Sequence, residues 1–356
     1  MTLVNTVKKL TKTVVLASGL VAVSASASFA QDITLRGASQ FDENHAFTKT
    51  MVKFEELIAA KYDGEIKFDM RLNGELGVEK DYVSFLQQGV AIDYAIMAPS
   101  NMAKFSPSIP LMDMPFLFRD LAHWNAALSS DVMAPLEIEL LEKADIKIIG
   151  YTGGGTRNLL SKNPIGNLDE LKGHKMRVMG APIQAQIFAA LTAAPSAIAY
   201  NEVYNAIQTG VIAGFENEAA SIQNLKFYEV APHLTLTKHT ITVRPIVMSG
   251  KTFRKLPEAL QTAVLAAGKE AGAFGRELES SEDAVKLQEM VDAGQLTVQE
   301  FANREKLLEM VIPVQNDYAS TIQATDLLAA IRAKKPLKIK PSAVPAADGF
   351  VYSVYN

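Results

Sequence analysis

The chain alternates between two hydrophobic periods. From Ile33 to Ala38 it reads as a strand, and Phe47, Met51, Phe54 and Ile58 then recur at helical spacing. Ile66, Phe68, Met70 and Leu72 alternate with Lys67, Asp69 and Arg71, the mark of a strand with one covered face. Tyr82, Phe85 and Leu86 give a helix that stops at Gly89, and Ile92 to Met97 give a third strand. This β-α-β-α-β order predicts a parallel sheet with helices packed on it. Pro99 and the stretch from Pro107 to Pro115 punctuate a loop. The Phe116-Leu117-Phe118 run that follows is too apolar for a solvated loop and is expected to pack down. Helical spacing returns from Leu121 to Lys143, followed by a strand from Ile146 to Gly150.

A second set of strand-helix units comes after Gly153-Gly154-Gly155, where the permissive backbone suits a crossover between lobes. No Lys-Ser or Lys-Thr pair follows those glycines at phosphate-loop spacing, and no stretch carries the full dinucleotide pattern. In the strand Lys175 to Met179, Met176 and Val178 share one face and Arg177 takes the other, where a core residue or a ligand belongs. Pro182 opens a helix carrying Ile183, Ile187, Phe188 and Leu191. Tyr200, Val203, Tyr204 and Ile207 mark another, closing at Gly210, and Val211 to Asn217 reads as a buried strand. Asn217 would sit at that strand's carboxyl end. Ligands of open α/β sheets gather there, so Arg177 and Asn217 together outline an anion site. His239 to Met248 is an extended run suited to a second crossover. The chain is helical from Pro257 past Met290, with Gly268, Gly272 and Gly275 as expected bends, and again from Phe301 to Ile331. The tail Lys334 to Asn356 shows no period and is expected to be poorly ordered.

Each singled-out residue also has a plainer reading. Arg177 could serve an internal ion pair, Arg157 could be a surface residue after a flexible loop, Asn217 could tie down a turn, and Tyr200 could be core. None of the five histidines lies three or four residues from another, so no helix-borne metal pair exists; His239 is expected to be a hydrogen-bonded structural residue. Neither a metal nor a cofactor is called for.

Composition changes the picture in one respect, export. Lys8, Lys9 and Lys12 precede an apolar run from Val14 to Val23 and small residues ending Ser28-Phe29-Ala30, which predicts a cleaved secretory signal over residues 1–30 and a periplasmic mature chain. With no cysteine, neither a lipid anchor nor a disulfide is available, so the fold needs a full-sized core, which 48% apolar residues can supply. Removing three of the 35 basic residues leaves 32 against 39 acidic ones, a net charge of −7 that disfavours nucleic acid and anionic membranes.

Several short segments, in order, resemble the solute-binding proteins of tripartite ATP-independent periplasmic (TRAP) transporters, a DctP-like family. They are Glu75-Leu76-Gly77, Met114 to Phe118, Leu171-Lys172-Gly173 with Met176-Arg177-Val178, Asn201 to Tyr204 with Ala206 to Gly210, Glu216-Asn217, and Lys226 to Glu229. The resemblance covers about Ile33 to Arg332. It implies a two-lobed periplasmic binding protein fold, each lobe a mostly parallel sheet flanked by helices, with a long helix bridging them. The boundaries it suggests are residues 31–154 plus about 243–282 for one lobe and 155–242 plus about 283–333 for the other, with 334–356 as a tail. It implies a small carboxylate ligand held between the lobes, hinge closure, and delivery to a membrane permease through transient contact. Some relatives pair through long helices such as the one after Pro257, so the oligomeric state is open and monomer is the default expectation. Arg177 resembles the arginine that clamps the carboxylate, Arg157 a second arginine that joins it, Asn217 a donor to the same group, and Tyr200 a pocket-lining ring. Gln40 and Ser100 stand where the first lobe contributes polar contacts. Relatives often carry Gln-Glu-Asn-Pro where this chain has Phe215 to Glu218, which implies a more acidic rim beyond Asn217. Pro99 stands where an acid-sugar binder places an acidic contact, which counts against that substrate class. The alternative is an exported hydrolase or lyase acting on a carboxylated substrate, for which the chain shows no Gly-x-Ser-x-Gly elbow, no His-Glu-x-x-His and no thiol.

Overall fold

The computed structural model describes residues 33–335; the signal sequence expected over 1–30 and nearly all of the tail lie outside them. Nine strands form one mixed sheet: β1 Ile33–Ala38, β2 Ile66–Arg71, β3 Tyr94–Ile96, β4 Ile146–Ser161, β5 Lys175–Val178, β6 Ala194–Ala197, β7 Gly214–Asn217, β8 His233–Ser249 and β9 Thr297–Glu300. Their order is β2-β1-β3-β8-β4-β7-β5-β6, with β9 paired to β8. At one end β1 pairs parallel with β2 and β3. At the other, β5 pairs parallel with β6 and β7. Each parallel half is the expected βαβ product, covered on its faces by helices.

The two halves are joined by β4 and β8, which run antiparallel for nearly their whole length. The C-terminal end of β8 meets β3, while its N-terminal end meets β9. The C-terminal end of β4 likewise pairs with β7. The expected strand at Ile146 therefore does not stop at the glycines: it continues through them for 16 residues. Gly153 and Gly154 have φ of 114° and 126°, values that L side chains rarely adopt, and a Cβ on Gly153 would lie 2.1 Å from the Thr242 carbonyl oxygen. The glycines permit a bulged, closely paired crossover within one strand.

The helix from Glu258 to Asp292 is 35 residues long and is not broken at its glycines. Gly268, Gly272 and Gly275 instead lie on one face, and a Cβ at each would come within 2.1–2.5 Å of Ile149, Tyr151, Thr152 or Thr50 atoms. Helix and β4 pack there almost backbone to backbone. The glycines answer a packing demand, which outweighs their roughly 1 kcal/mol cost in a helix.

Three apolar clusters hold the molecule. One, with Leu35, Phe54, Tyr94 and Val264, lies under the Ala46–Lys61 helix and the long helix. A second, with Leu160, Ile207, Phe215 and Met290, supports the β7 side. The largest runs from Leu86 and Trp124 through Val178 and Phe188 to Val311. Leu117 is buried in it, as the apolar Phe-Leu-Phe run requires. The reading from Leu121 to Lys143 as one helix gives way to helices Leu121–Leu128 and Ala134–Ala144 separated by a tight turn. The β7 strand starts at Gly214, after an exposed Val211. Strands β6 and β9 were not read from sequence: β6 is short, largely exposed and contains Pro195, so it shows no alternation.

Candidate functional site

A cleft opens where the ends of β5 and β7 and Arg157 within β4 meet the first turn of the Glu79–Gln88 helix and the Pro99–Met102 turn. It contains a cavity of about 280 Å³ lined by Gln40, Glu79, Ser100, Asn101, Arg177 and Tyr200, among others. Below it lies a recess of about 20 Å³, room for one small polar group, bordered by Arg157, Asn217 and Arg244. All six residues singled out in the sequence border this one cleft.

Arg177 is placed by the alternation of β5. Met176 and Val178 enter the largest core cluster, which turns the guanidinium to the opposite face, where it is only 4% exposed. Its Nε donates to the Ile198 carbonyl at 2.9 Å, and the guanidinium lies 5.4 Å from the centre of the Tyr200 ring. Among the described residues that carbonyl is its one hydrogen-bond partner, which leaves both terminal amino groups uncommitted in a residue that borders the cavity. Burial lowers its pKa to about 10; the charge on Glu216 resists that shift and the charge on Arg157 adds to it. The group remains a cation at neutral pH, under-paired and desolvated, which is the state that a carboxylate ligand relieves.

Arg157 differs in kind. Its Nε donates to Glu216 Oε2 at 2.5 Å, one amino group donates to Asn217 Oδ1 at 2.7 Å and Glu218 Oε2 at 2.5 Å, and the other donates to the Glu216 carbonyl at 2.7 Å and Glu216 Oε1 at 2.9 Å. A guanidinium has five N–H donors, and all five are engaged inside the protein. The family resemblance implied a direct share in the ligand carboxylate; the geometry makes Arg157 the internal counter-ion of two glutamates. Burial opposes its charge, but Glu216 and Glu218 outweigh burial and push its pKa further up. For Glu216 burial favours the neutral acid, yet Arg157 and the His239 contact win and hold it at about 2. His239 Nε2 lies 3.2 Å from Glu216 and its Nδ1 2.8 Å from Thr237, the structural role expected of it. Glu218, expected to acidify the rim, is 1% exposed and belongs to this network.

Asn217 bridges the two arginine environments. Its Oδ1 accepts from Arg157 while Nδ2 donates to the Tyr200 hydroxyl at 2.6 Å, leaving one amide hydrogen uncommitted. Tyr200 opens the short helical turn after β6; burial raises its phenol pKa, with Glu218 adding to the effect, so it stays neutral. Gln40 exchanges long hydrogen bonds with Glu79, its Nε2 donating to Oε1 at 3.3 Å and its Oε1 accepting from the Glu79 amide at 3.4 Å. Ser100 borders the cavity, but its hydroxyl donates to Asp113 at 2.9 Å and is approached by Gln184 Nε2 at 3.2 Å. It works as a tie between the Pro99 turn and the Pro182–Ala190 helix.

Sequence reasoning missed Glu79, Asn101 and Arg244. Glu79 is 4% exposed and brings a carboxylate to the cleft that Pro99 does not supply. Arg244 lies within β8 and borders the recess; its Nε has no partner among the described residues, and its guanidinium stacks 5.5 Å from Phe47. Its place in an alternating strand was a usable signal. Glu79 offered none beyond helix position. No cluster among the described residues could hold a metal ion, and no described helix is long and apolar enough to cross a membrane.

Residues 38–321 match the model of the bacterial extracellular solute-binding proteins, family 7. A solute-binding protein of Sulfitobacter sp. (strain NAS-14.1) is 77% identical over 91% of this chain and 99% of its own. A TRAP periplasmic solute-binding protein of Sulfitobacter sp. NAS-14.1, solved with α-D-taluronate, is 80% identical, with a TM-score of 0.84 over 84% of this chain and 97% of that one. Another from the same source, solved with β-D-galacturonate, is 29% identical with a TM-score of 0.78 over 84% and 99%. These relatives are substrate-binding components of transporters and not enzymes, which sets aside the hydrolase or lyase alternative. A two-lobed α/β architecture, a cationic cleft and a match across nearly all of the described residues lead to one conclusion: the chain belongs to family 7 of the bacterial extracellular solute-binding proteins, the binding subunits of TRAP transporters.

Proposed function

We propose that this protein captures a hexuronate or a closely similar six-carbon sugar acid, with Arg177 holding the carboxylate through its two free amino groups. The observation that carries this is a buried guanidinium with one carbonyl partner and a polar cavity in front of it. Taluronate in the 80% identical relative favours the six-carbon class. Asn217 contributes its remaining amide hydrogen, Tyr200 a ring wall beneath the sugar, and Gln40 an adjustable amide. Arg157 sustains the positive field and fixes Asn217 without touching the ligand. Ser100 fastens one lobe to the other when the cleft closes.

In this reading residues 31–154 plus about 243–282 form one lobe, residues 155–242 plus about 283–333 form the other, and β4 and β8 are the hinge. Closure expels water, and charge-assisted bonds strengthen in the drier cleft. The chain matures by removal of residues 1–30, acts as a monomer and meets its permease transiently. A thermal-shift panel tests the proposal: taluronate, galacturonate and glucuronate should raise the melting temperature, and succinate and neutral hexoses should not. A shift with succinate alone overturns the sugar-acid assignment.

A further inference from the structure

We propose that Glu79 sets the specificity of the cleft: it accepts a ligand hydroxyl and keeps a second carboxylate out, so the protein separates monocarboxylate sugar acids from the aldaric acids of the same stereochemistry. The proposal rests on the reading that Arg177 takes the first carboxylate.

Glu79 is the first residue of the Glu79–Gln88 helix and borders both the cavity and the recess below it, as Arg177 does. Its Oε2 is tied by two short bonds, from the Ala98 amide at 2.6 Å and Asn101 Nδ2 at 2.8 Å. Its Oε1 receives one long bond, from Gln40 Nε2 at 3.3 Å. An ionised carboxylate accepts about four hydrogen bonds and donates none. Three neutral donors thus fix this group in place, and the remaining lone pair, on the weakly held oxygen, borders the cavity. Among the described residues no lysine, arginine or histidine forms a close ion pair with Glu79; its charge and that of Arg177 attract each other across the site that both line.

A ligand clamped at one end by Arg177 extends through the cavity that Glu79 also lines, and in this proposal its remaining groups reach this oxygen. A hydroxyl there donates into the open lone pair. A second carboxylate there would bring two acceptor-only anions together in a desolvated site, which both groups resist. Lys80 and Lys104 border the same cavity but are exposed, and Lys104 leans over the Phe105 ring at 5.8 Å. Water and salt screen such exposed charges far more than a buried one. The buried acid therefore decides the sign of the field at the ligand's far end.

The test is calorimetry on the mature chain with taluronate and its C1-oxidised counterpart, talarate. Wild type should bind taluronate at least about tenfold more tightly, and Glu79→Gln should narrow that ratio by about tenfold through better talarate binding. Talarate monomethyl ester, open-chain like talarate but with one charge fewer and one methyl group more, should recover most of the loss on wild type without any variant. Equal binding of both acids by wild type, or a Glu79→Gln protein that weakens both equally, overturns the role of Glu79 while leaving the sugar-acid reading intact. If wild type binds no sugar acid, the reading beneath it falls as well.

Discussion

The two walls of the cleft are built on different principles. On one side Arg157, Arg177 and Asn217 sit on strands, and their directions follow from pairing register: Asn158 faces Asn217 across β4 and β7, and Met176 faces Gly214 across β5 and β7. On the other side Gln40, Glu79 and Asn101 come from a loop, a helix start and a single turn, linked mainly by side-chain hydrogen bonds. The strand wall fixes a charge rigidly, and a substitution on the loop wall leaves the strand pairing of the sheet untouched. In the function proposed above, recognition of a carboxylate belongs to the first wall and choice among carboxylates to the second.

Removing Arg157 should break the comparison most severely. Arg157→Met leaves Glu216 and Glu218 buried without a counter-ion, a loss of about 3–5 kcal/mol in stability, read as a lower melting temperature without ligand. The effect of Arg177→Ala should be nearly the mirror image: affinity falls by about 2–5 kcal/mol, while the free protein melts close to wild type because no internal acid is orphaned. If the two variants exchange these phenotypes, the division of labour between the arginines is wrong. On the opposite wall, Asn101→Ala removes one donor to Glu79 and should cost about 1–3 kcal/mol in ligand affinity, measured by calorimetry, with little change in fold stability.

A pH series sharpens the contrast. Glu216 is held down at about 2, so its contribution is complete above the unfolded value near 4.5 and is lost as pH falls toward 2. Asp113 runs the other way: burial raises it to about 6 even though Ser100 donates to it, so its contribution is complete below the unfolded value near 3.8 and is lost as pH rises through 6. Asp113→Asn should flatten the decline in melting temperature between about pH 4 and 6 and leave the acid side unchanged.

Much of the strand wall was legible in the sequence because alternation dictates where a side chain points. The direction of Arg177 followed from Met176 and Val178 alone, and the parallel pairing of the sheet's first half followed from the β-α-β-α-β succession, although its strand order did not. What the sequence could not give was occupancy: nothing in the spacing says that Glu216 and Glu218 would surround Arg157 on every donor, since that requires β4 and β7 to be adjacent. The glycines at 268, 272 and 275 misled for the same reason, as their purpose lies in the strand they touch. Glu79 was invisible because a glutamate in the first turn of a helix is ordinary, favoured by the helix dipole wherever it faces.

The central claim is that Arg177 holds a ligand's charge and not one of the protein's own. Titrating taluronate into wild type and Arg177→Gln, with each protein's melting temperature measured alone, tests it most directly. The account predicts at least about a hundredfold weaker binding with an almost unchanged melting temperature. Undiminished binding, or collapse of the free protein, would contradict it.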